Sequence, residues 1–282
     1  MELLIRFFES TICPITKPQG YHLFHILFCV LTIALFIIIC YFSRKCSDMV
    51  FRIVISSLGV FLILTEIYKQ LYFGLAYNYS DSGVTGIFYE WDIFPFQLCS
   101  VPMYLCTLVG FLKKGKLRDT ICEYLVTIGF LGGIMAYLEP SGILHDDLFR
   151  LLHSCIWHAL LIFIALFILF TNNANQRLKD YPKALIVYGG VVLIATTLNL
   201  SFFNKASEGF NMCYISPFRN TPLAVFKDVT VFLQNLFNNE YIGRIIVNII
   251  YVGLIPVAGF LIYLASFYIK KGISKLKQKA SI

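Results

Sequence analysis

The sequence predicts an all-α membrane protein, a seven-transmembrane-helix bundle with its N-terminus outside and its C-terminus in the cytoplasm. Three observations support this fold class. Hydrophobic residues make up 58% of the 282 residues and charged residues only 14%, whereas soluble domains carry about 25% charged residues. Apolar runs of about 20 residues, long enough to cross a bilayer as helices, recur along the chain. The alternation of a barrel strand is absent, and in hydrocarbon only helices and closed barrels satisfy every backbone group.

The apolar runs divide one membrane domain, residues 1–282, into successive elements. Residues 1–21 predict a short interfacial segment with an apolar face. Between the last two spans, residues 204–243 are too polar to span the membrane and too apolar for a solvated loop. Pro217 and Pro222 interrupt any long helix there, so we expect an outer cap or a re-entrant loop. The spans are predicted at about 22–42, 52–73, 91–112, 119–138, 151–170, 184–203 and 244–269.

Lysine and arginine residues indicate the orientation. With seven spans, most of the 23 basic residues fall in the tail and after the first, third and fifth spans. Because basic loops stay in the cytoplasm, this alternation predicts a multi-pass protein of the cell membrane with its N-terminus outside. The net charge of +7 is therefore a topology signal and weak evidence for contact with anionic lipid, not for a nucleic-acid partner. The basic residues in question are Arg44, Lys45, Arg52, Lys113, Lys114, Lys116, Arg118, Arg177, Lys179, Lys183, Lys270, Lys271, Lys275, Lys277 and Lys279.

The sequence gives no sign of a metal site, a cofactor or a nucleotide. Its nine cysteines include no Cys-x-x-Cys pair and no spacing with histidine that resembles a zinc site. Most of them lie in apolar runs, where cysteine packs as a small hydrophobe. There is also no nucleotide-binding motif. We therefore expect no cofactor, no metal and no nucleotide partner, and the oligomeric state is left open.

Four polar residues on four predicted spans lie at a similar depth in the outer half of the membrane. Cys99 and His158 are each eight residues inside the outer edge of their spans, which is about 12 Å at 1.5 Å per residue. Asn199 is about 9 Å from the outer end of its span by the same measure, and Glu66 lies several residues before the outer end of the second span. Because polar groups inside a membrane are costly, a shared depth indicates a functional site.

The residue types in this layer point to acyl chemistry. A cysteine beside a histidine is the minimum for an activated thiolate, in which the histidine takes the proton and the sulfur attacks a carbonyl. Cys99 is therefore the expected nucleophile and His158 the expected general base. Asn199 suits a donor to a developing oxyanion, and Glu66 either orients the imidazole or pairs with Lys69 one turn away.

Each of these residues also has a structural interpretation. Cysteine in a membrane helix is usually a packing residue, and a membrane histidine or asparagine more often makes an interhelical hydrogen bond than it catalyses a reaction.

Prolines and glycines in the third and fourth spans predict local departures from regular helix packing. Pro95 and Pro102 bracket the cysteine of the third span and predict a kink there. Gly129, Gly132 and Gly133 in the fourth span predict close helix packing.

Several short motifs carry a family resemblance. Residues 94–99 read Phe-Pro-Phe-Gln-Leu-Cys, residues 132–140 begin with Gly-Gly and end in Glu-Pro, and residues 153–158 begin and end with histidine. Asn199 is followed by the Gly-Phe-Asn of residues 209–211. This series resembles the YwaF-like family of bacterial integral membrane proteins, and the resemblance implies a seven-helix bundle. That family is distantly similar to eukaryotic transmembrane proteins thought to transfer acyl chains between lipids through a cysteine and a histidine.

Carried over to this chain, the resemblance implies that Cys99 accepts an acyl group and that His158 is the general base. It also draws attention to polar residues of the same motifs. Together with a serine one turn from His158 on the same helix face, they are the expected substrate contacts: Gln97, Ser154, Asn211 and Tyr214.

Three hypotheses follow for the function. The leading one is an acyltransferase or related acyl-transfer enzyme whose partner is a membrane lipid of the outer leaflet. The alternative is a transporter or small-molecule binding protein, in which the same polar layer binds the solute and Glu66 carries a coupling proton. The third is a non-catalytic scaffold. The first requires Cys99 chemically, the second requires Glu66 and tolerates Cys99→Ser, and the third predicts effects on stability alone.

Overall fold

The computed structural model describes residues 2–77, 89–175 and 177–279. Within these residues the secondary structure is helical apart from one isolated bridge between Pro14 and Asp147. The α-helices, in chain order, are α1 (Glu2–Glu9), α2 (Leu23–Ser43), α3 (Asp48–Tyr72), α4 (Val101–Phe111), α5 (Lys116–Tyr124), α6 (Phe130–Leu138), α7 (Leu148–Phe170), α8 (Tyr181–Ser201), α9 (Ala224–Phe237) and α10 (Glu240–Lys279).

Six helical stretches in the described part of the chain are long and apolar enough to cross a bilayer. They correspond to the predicted first, second, fourth, fifth, sixth and seventh spans, and the chain is a multi-pass membrane protein. The stretches are Leu23–Ser43, Asp48–Leu75, Lys116–Leu138, Leu148–Phe170, Leu178–Ser201 and Glu240–Tyr268.

The third predicted span is broken rather than merely kinked. It consists of the 3-10 turn Trp91–Ile93, a non-helical stretch at residues 94–100, and the 11-residue helix α4. Two prolines account for the break. Pro95 disfavours helical geometry in the residue before it and has no amide to donate. Pro102 lies in the first turn of α4, where no amide partner is needed. Because α4 is only about 16 Å long, it is too short to cross a bilayer as a helix by itself, and a seventh crossing stays a prediction.

The centre of the bundle is formed by the predicted fourth and fifth spans. In each of the stretches Lys116–Leu138 and Leu148–Phe170, 61% of the most apolar 18 residues are buried, whereas only 11% of those in α2 are buried. α2 therefore lies at the edge of the bundle. Between α5 and α6, residues Leu125–Gly129 form a π-helical turn, and all five are buried. Such turns shift the helix register and occur often at functional sites.

The connections rich in lysine and arginine meet at one end of the bundle, here called the basic end. Arg118, at the start of α5, is buried and forms an ion pair of 2.8 Å with Asp48 at the start of α3. It also donates to the side chain of Asn173, after α7. Tyr263 of α10 donates to the carbonyl oxygen of Arg177 at 2.6 Å. The basic loops thus share one end, as their alternation predicts. That this end is cytoplasmic stays a prediction.

The N-terminal segment packs on the opposite end, here called the site end. Phe8 of α1 is buried against Tyr72 and Phe73 at the end of α3, while Leu3 is exposed. That α1 lies at the membrane interface stays a prediction. Asp147 fixes the next part of the segment. One carboxylate oxygen caps α7 by accepting from the Arg150 amide at 3.0 Å, and the other accepts from the Cys13 amide at 3.0 Å.

Residues 206–237 run inward along α10 and return. α9 is antiparallel to α10, because the Phe226 ring lies 5.7 Å from the Tyr251 ring while Gln234 packs on Gly243. Since Tyr251 is eleven residues beyond the start of α10, α9 begins about 16 Å inside that end. Asn248 holds the chain before α9 at a similar level by donating to Ile215 and Ser216 carbonyl oxygens at 2.8 and 3.2 Å. We call residues 206–237 the re-entrant segment, from this geometry. Its depth in a bilayer stays a prediction.

Candidate functional site

Cys99 lies in the non-helical stretch, two residues before α4 begins at Val101, and is half-buried. Its carbonyl oxygen accepts a hydrogen bond of 3.0 Å from the indole Nε1 of Trp157 on α7. Gly132 of α6 packs on the other side, where a Cβ atom would lie 3.6 Å from the Cys99 Cα. Cys99 is therefore held between α6 and α7 at the N-terminal end of α4, which is the positive end of the helix dipole.

His158 follows Trp157 on α7, and its hydrogen bonding defines its tautomer. The Nδ1 atom is 2.8 Å from the carbonyl oxygen of Ser154. Since a carbonyl can only accept, Nδ1 carries the proton in the neutral ring and Nε2 keeps a free lone pair. This is the tautomer that a general base requires.

Two consecutive glycines of α6 bring the cysteine and histidine segments together. Gly132 contacts Cys99, and at Gly133 a Cβ atom would lie only 3.1 Å from the His158 carbonyl oxygen and 3.0 Å from the Leu161 Cβ. Such distances are shorter than ordinary carbon contacts, so α6 approaches α7 this closely only because position 133 has no side chain. The predicted role of these glycines in close packing is confirmed, and Cys99 and His158 adjoin the same turn of α6.

Glu66 of α3 is buried, and one of its carboxylate oxygens is engaged by its own helix. Its Oε1 atom accepts from Lys69 Nζ at 2.8 Å and from Gln70 Nε2 at 2.7 Å. Gln70 also donates to the Ile93 carbonyl oxygen at 2.8 Å, which ties α3 to the turn before Cys99. Of the two roles considered for Glu66, the structure shows the pairing with Lys69.

Lys69 brings positive charge to the candidate site. It acts electrostatically on both Cys99 and His158, so the end of α3 belongs to the same polar layer as α4 and α7. The carboxylate of Glu66 acts on Cys99 as well. These interactions place the end of α3 near the segments that carry Cys99 and His158. That the four residues form one site stays a prediction.

Asn199 of α8 is buried, and both ends of its amide bind one backbone unit. Nδ2 donates to the Met212 carbonyl oxygen at 3.0 Å, and Oδ1 accepts from the Met212 amide at 2.7 Å. Asn199 therefore anchors the re-entrant segment to α8. A role as oxyanion donor requires the amide to release Met212, so the contacts indicate positioning rather than catalysis.

The re-entrant segment packs directly on the stretch that carries Cys99. Gln97 Nε2 donates to the Asn211 carbonyl oxygen at 2.9 Å, and the Asn211 Oδ1 accepts from the Ser216 amide at 2.8 Å. Two of the four expected substrate contacts thus bind each other. Tyr214 lies in the tight turn that follows, with φ of 59°.

Gly209 shows why the Gly-x-Asn motif begins with glycine. Its φ of +108° is one that other residues rarely adopt, and a Cβ atom there would lie 2.5 Å from the Asp92 Cβ. The glycine therefore lets the re-entrant segment contact the turn that precedes Cys99. Its role is backbone geometry rather than chemistry.

Ser154, the remaining expected substrate contact, links His158 to a loop histidine. Its hydroxyl lies 3.0 Å from His145 Nε2, while its carbonyl oxygen accepts from His158. Burial is the main cause that lowers the pKa of His145 to about 4, and the nearby charge of Arg150 acts in the same direction. His145 is therefore neutral at pH 7.

Two residues that the sequence did not single out, Trp157 and Gln70, hold the segment around Cys99 in place. Trp157 is apolar in bulk, but its single donor needs a partner when it is buried in a span, and that partner is the Cys99 backbone. Gln70 lies four residues after Glu66, which is the hydrogen-bonding spacing on a helix. Among residues 2–77, 89–175 and 177–279, no group of three or more His, Cys, Asp or Glu side chains is arranged to hold a metal ion.

A family model described as the TMEM164 family matches residues 18–267, a range that includes every residue of the candidate site. No curated protein and no solved structure matches the chain. The resemblance to a YwaF-like family and a bacterial origin stay predictions.

Proposed function

Because that match covers most of the chain, the chain belongs to the TMEM164 family of transmembrane proteins, and we propose that it is a membrane enzyme that transfers an acyl chain between lipids through Cys99 and His158. The tautomer of His158 is the observation that carries the proposal. Its Nδ1 is committed to the Ser154 carbonyl oxygen, so a basic Nε2 remains free on the helix that also binds the Cys99 backbone.

The proposed reaction has two steps. In the first, His158 Nε2 takes the thiol proton, Cys99 Sγ attacks the ester carbonyl carbon of a donor lipid, and the carbon–oxygen bond breaks. The leaving alcohol recovers the proton from His158. In the second, His158 takes the proton of an acceptor hydroxyl, the hydroxyl oxygen attacks the thioester, and the carbon–sulfur bond breaks. The thiolate then regains the proton, so neither step needs an external oxidant or reductant.

Burial disfavours the negative charge that develops on Cys99 in both steps, and two neighbouring groups offset part of that cost. The N-terminal end of α4 and the ammonium group of Lys69 both favour negative charge near the sulfur. Glu66 and Gln70 fix the position of that end of α3. We assign Glu66 and Asn199 positioning roles, because their polar atoms are engaged by neighbouring groups.

A membrane lipid is the substrate class that this location favours. The site lies between helices that are candidate membrane spans, and a hydrophobic substrate can reach it from the bilayer without crossing water. A lipid ester supplies both the carbonyl that a thiolate attacks and the apolar chain that remains in hydrocarbon. This is the membrane lipid partner expected from the sequence.

The test is detection of the acyl-enzyme. The protein is reconstituted in nanodiscs containing a phospholipid with an alkyne-tagged acyl chain, and tagged protein is measured before and after hydroxylamine, which cleaves thioesters. We expect hydroxylamine-sensitive label in the wild type and none in Cys99→Ser. Cys46→Ser, a half-buried cysteine at the basic end, is the matched control and keeps the label. Equal labelling of Cys99→Ser and wild type rules the proposal out.

A second candidate function is a transporter or binding protein. The observation that favours it is the meeting of two non-helical stretches, residues 94–100 and the re-entrant segment, because irregular backbone at membrane depth is typical of solute sites. In that case Glu66→Gln abolishes solute binding by reconstituted protein, while Cys99→Ser leaves binding unchanged.

A further inference from the structure

A groove between α3 and α7 lies next to the candidate site. Its volume is about 140 Å³. A cavity of roughly this size with apolar walls stays dry and accepts an apolar molecule. Its walls include Phe61, Thr65, Leu152, His153, Ile156 and Trp157.

The outer walls of the groove show what covers it. Phe61, Leu152 and Ile156 expose 45%, 48% and 44% of their surface, and both helices that carry them are candidate membrane spans. Phe61 lies near the middle of its span, far from either end of α3. In a membrane these side chains contact hydrocarbon, so the molecules able to enter the groove sideways are the acyl chains of lipids.

One polar atom in the groove wall has no hydrogen-bond partner among the described residues, and lipid hydrocarbon cannot supply one. His153 Nε2 is buried and makes no hydrogen bond to any described residue. The ring is held in place by stacking on Trp157, with 5.3 Å between ring centroids. A buried polar atom without a hydrogen-bond partner is unfavourable. An acyl chain alone does not relieve this cost, whereas the ester group of a lipid does.

Trp157 connects the groove to the candidate nucleophile. Its ring lines the groove, and its Nε1 donates to the Cys99 carbonyl oxygen at 3.0 Å. On the other wall, Thr65 precedes Glu66, whose partner Lys69 interacts with both His153 and Cys99. The polar end of the groove therefore faces the same layer as the thiol.

We propose that this groove binds one acyl chain of a membrane glycerolipid, with the ester carbonyl oxygen accepting a hydrogen bond from His153 Nε2. The inference deepens the proposed function, because it identifies the element that holds the lipid next to Cys99. It assigns His153 a binding role distinct from the basic role of His158. The neutral imidazole of His153 carries its proton on Nε2 when the lipid is bound.

Photo-crosslinking tests this proposal. The intact protein is placed in phosphatidylcholine nanodiscs that contain phosphatidylcholine with a diazirine in one acyl chain, and crosslinks are mapped by mass spectrometry. We expect labelling at residues 61–65 and 149–157 to be at least fivefold above that on the face of α8 with Ile186 and Leu193. Those two residues are 70% and 68% exposed, so they report ordinary lipid contact.

Two outcomes overturn the proposal. Equal labelling of the groove and of α8 shows that the groove has only ordinary lipid contact. Labelling of the groove by a diazirine fatty acid but not by the phospholipid shows that a free fatty acid is the ligand.

Two variants examine the groove directly. Thr65→Trp fills it and is expected to lower groove labelling about tenfold while leaving α8 labelling unchanged. Retention of the α8 pattern shows that the variant is folded. His153→Phe keeps the ring shape and removes the donor, so the concentration of unlabelled lipid needed for competition rises about fivefold, the ratio for one hydrogen bond. His153→Gln restores a donor and recovers at least half of that loss. Unchanged competition by His153→Phe contradicts the assigned hydrogen bond.

The outcomes for the groove and for the enzyme are distinguishable. Cys99→Ser is expected to lose the thioester and keep the groove labelling, because binding does not need the sulfur. Groove labelling without any thioester in the wild type supports the groove and contradicts the proposed function. A thioester without groove labelling supports the proposed function and contradicts the groove.

Discussion

The two ends of the bundle use buried polar groups in different ways. At the basic end, Arg118 is surrounded by acceptors, with Asp48 at 2.8 Å and Asn173 beside it, and regular helices meet there at short loops. At the site end, the backbone of residues 94–100 is irregular, and His153 Nε2 has no partner among the described residues. Satisfied buried charge stabilises a junction between helices, whereas irregular backbone and unsatisfied atoms at membrane depth indicate a place where a ligand binds.

The largest effect expected at the site end is loss of chemistry without loss of folding. Cys99→Ser should lower acyl transfer at least 100-fold, because a hydroxyl is a much weaker nucleophile than a thiolate. Thermal unfolding should change little, since the two side chains are nearly the same size. The measurements are initial rates with tagged phospholipid and the melting temperature in the same nanodiscs. A parallel loss of rate and of melting temperature contradicts the distinction between the two ends.

His158 should show a similar separation of activity from stability. His158→Gln preserves a donor to the Ser154 carbonyl oxygen but has no basic nitrogen, so we expect the rate to fall about 10²–10³-fold with the fold intact. The rate of Cys99 alkylation by a small maleimide is the second readout. It should fall as well, because His158 no longer removes the thiol proton. Unchanged alkylation means that His158 is not the base.

The opposite behaviour is expected at the basic end. Asp48→Asn leaves the buried guanidinium of Arg118 without its counter-ion. Because the pair is buried only on the arginine side, the expected cost is about 1–3 kcal/mol, as for a buried donor that loses a partner. The free energy of unfolding should fall by that order, while the rate per folded molecule stays at the wild-type value. Arg118→Leu removes the buried charge and should lower the free energy of unfolding by less, because the Asp48 carboxylate left behind is partly exposed to solvent. A larger effect of Arg118→Leu than of Asp48→Asn contradicts this account.

The two glycines of α6 offer a smaller and sharper comparison within the site end. Gly133→Ala meets the Leu161 Cβ at 3.0 Å, whereas Gly132→Ala meets Cys99 at an ordinary 3.6 Å. Overpacking costs about 1–3 kcal/mol, so we expect Gly133→Ala to be destabilised by that amount and Gly132→Ala by less. Because the clash separates α6 from α7, Gly133→Ala should also lose more activity. Equal melting temperatures for the two variants contradict the close approach.

The smallest expected effect is a pH dependence at the surface of the site end. The pKa of His145 is lowered from its ordinary 6.5 to about 4 by burial. Between these values the unfolded chain binds a proton that the folded protein does not, so stability falls as the pH drops from 6.5 towards 4. His145→Gln should flatten this part of the profile of melting temperature against pH. An unaltered slope in the variant assigns the dependence to other groups.

Much of the fold was predictable because a helix that crosses the hydrocarbon of a bilayer needs a long apolar segment. Six predicted spans correspond to helical stretches that are long and apolar enough to cross a membrane, and the basic connections lie together at one end. The third span was not predictable to the same degree. Its apolar content matches that of a helix, but Pro95 and Pro102 break it more completely than the predicted kink, since neighbouring helices satisfy the exposed backbone groups.

The sequence predicts which polar residues share a depth, but not what each of them contacts. Residue counts placed Cys99, His158, Asn199 and Glu66 at one depth, because a helix rises by a fixed amount per residue. Depth does not specify which way a side chain points. Only the tertiary contacts show that Asn199 binds the Met212 backbone and that Glu66 binds Lys69 and Gln70.

The sequence by itself therefore determined the helical membrane class, most of the spans, and the separation of a basic end from an end with polar groups. These features depend on sums of transfer free energies over about 20 residues, and such sums do not require knowledge of the partners. The tertiary structure alone decided the broken third span, the inward path of residues 206–237, and the contact of Trp157 with the Cys99 backbone. Each of these depends on the approach of segments distant in sequence, because irregular backbone is stable in a membrane only where other helices supply its hydrogen bonds.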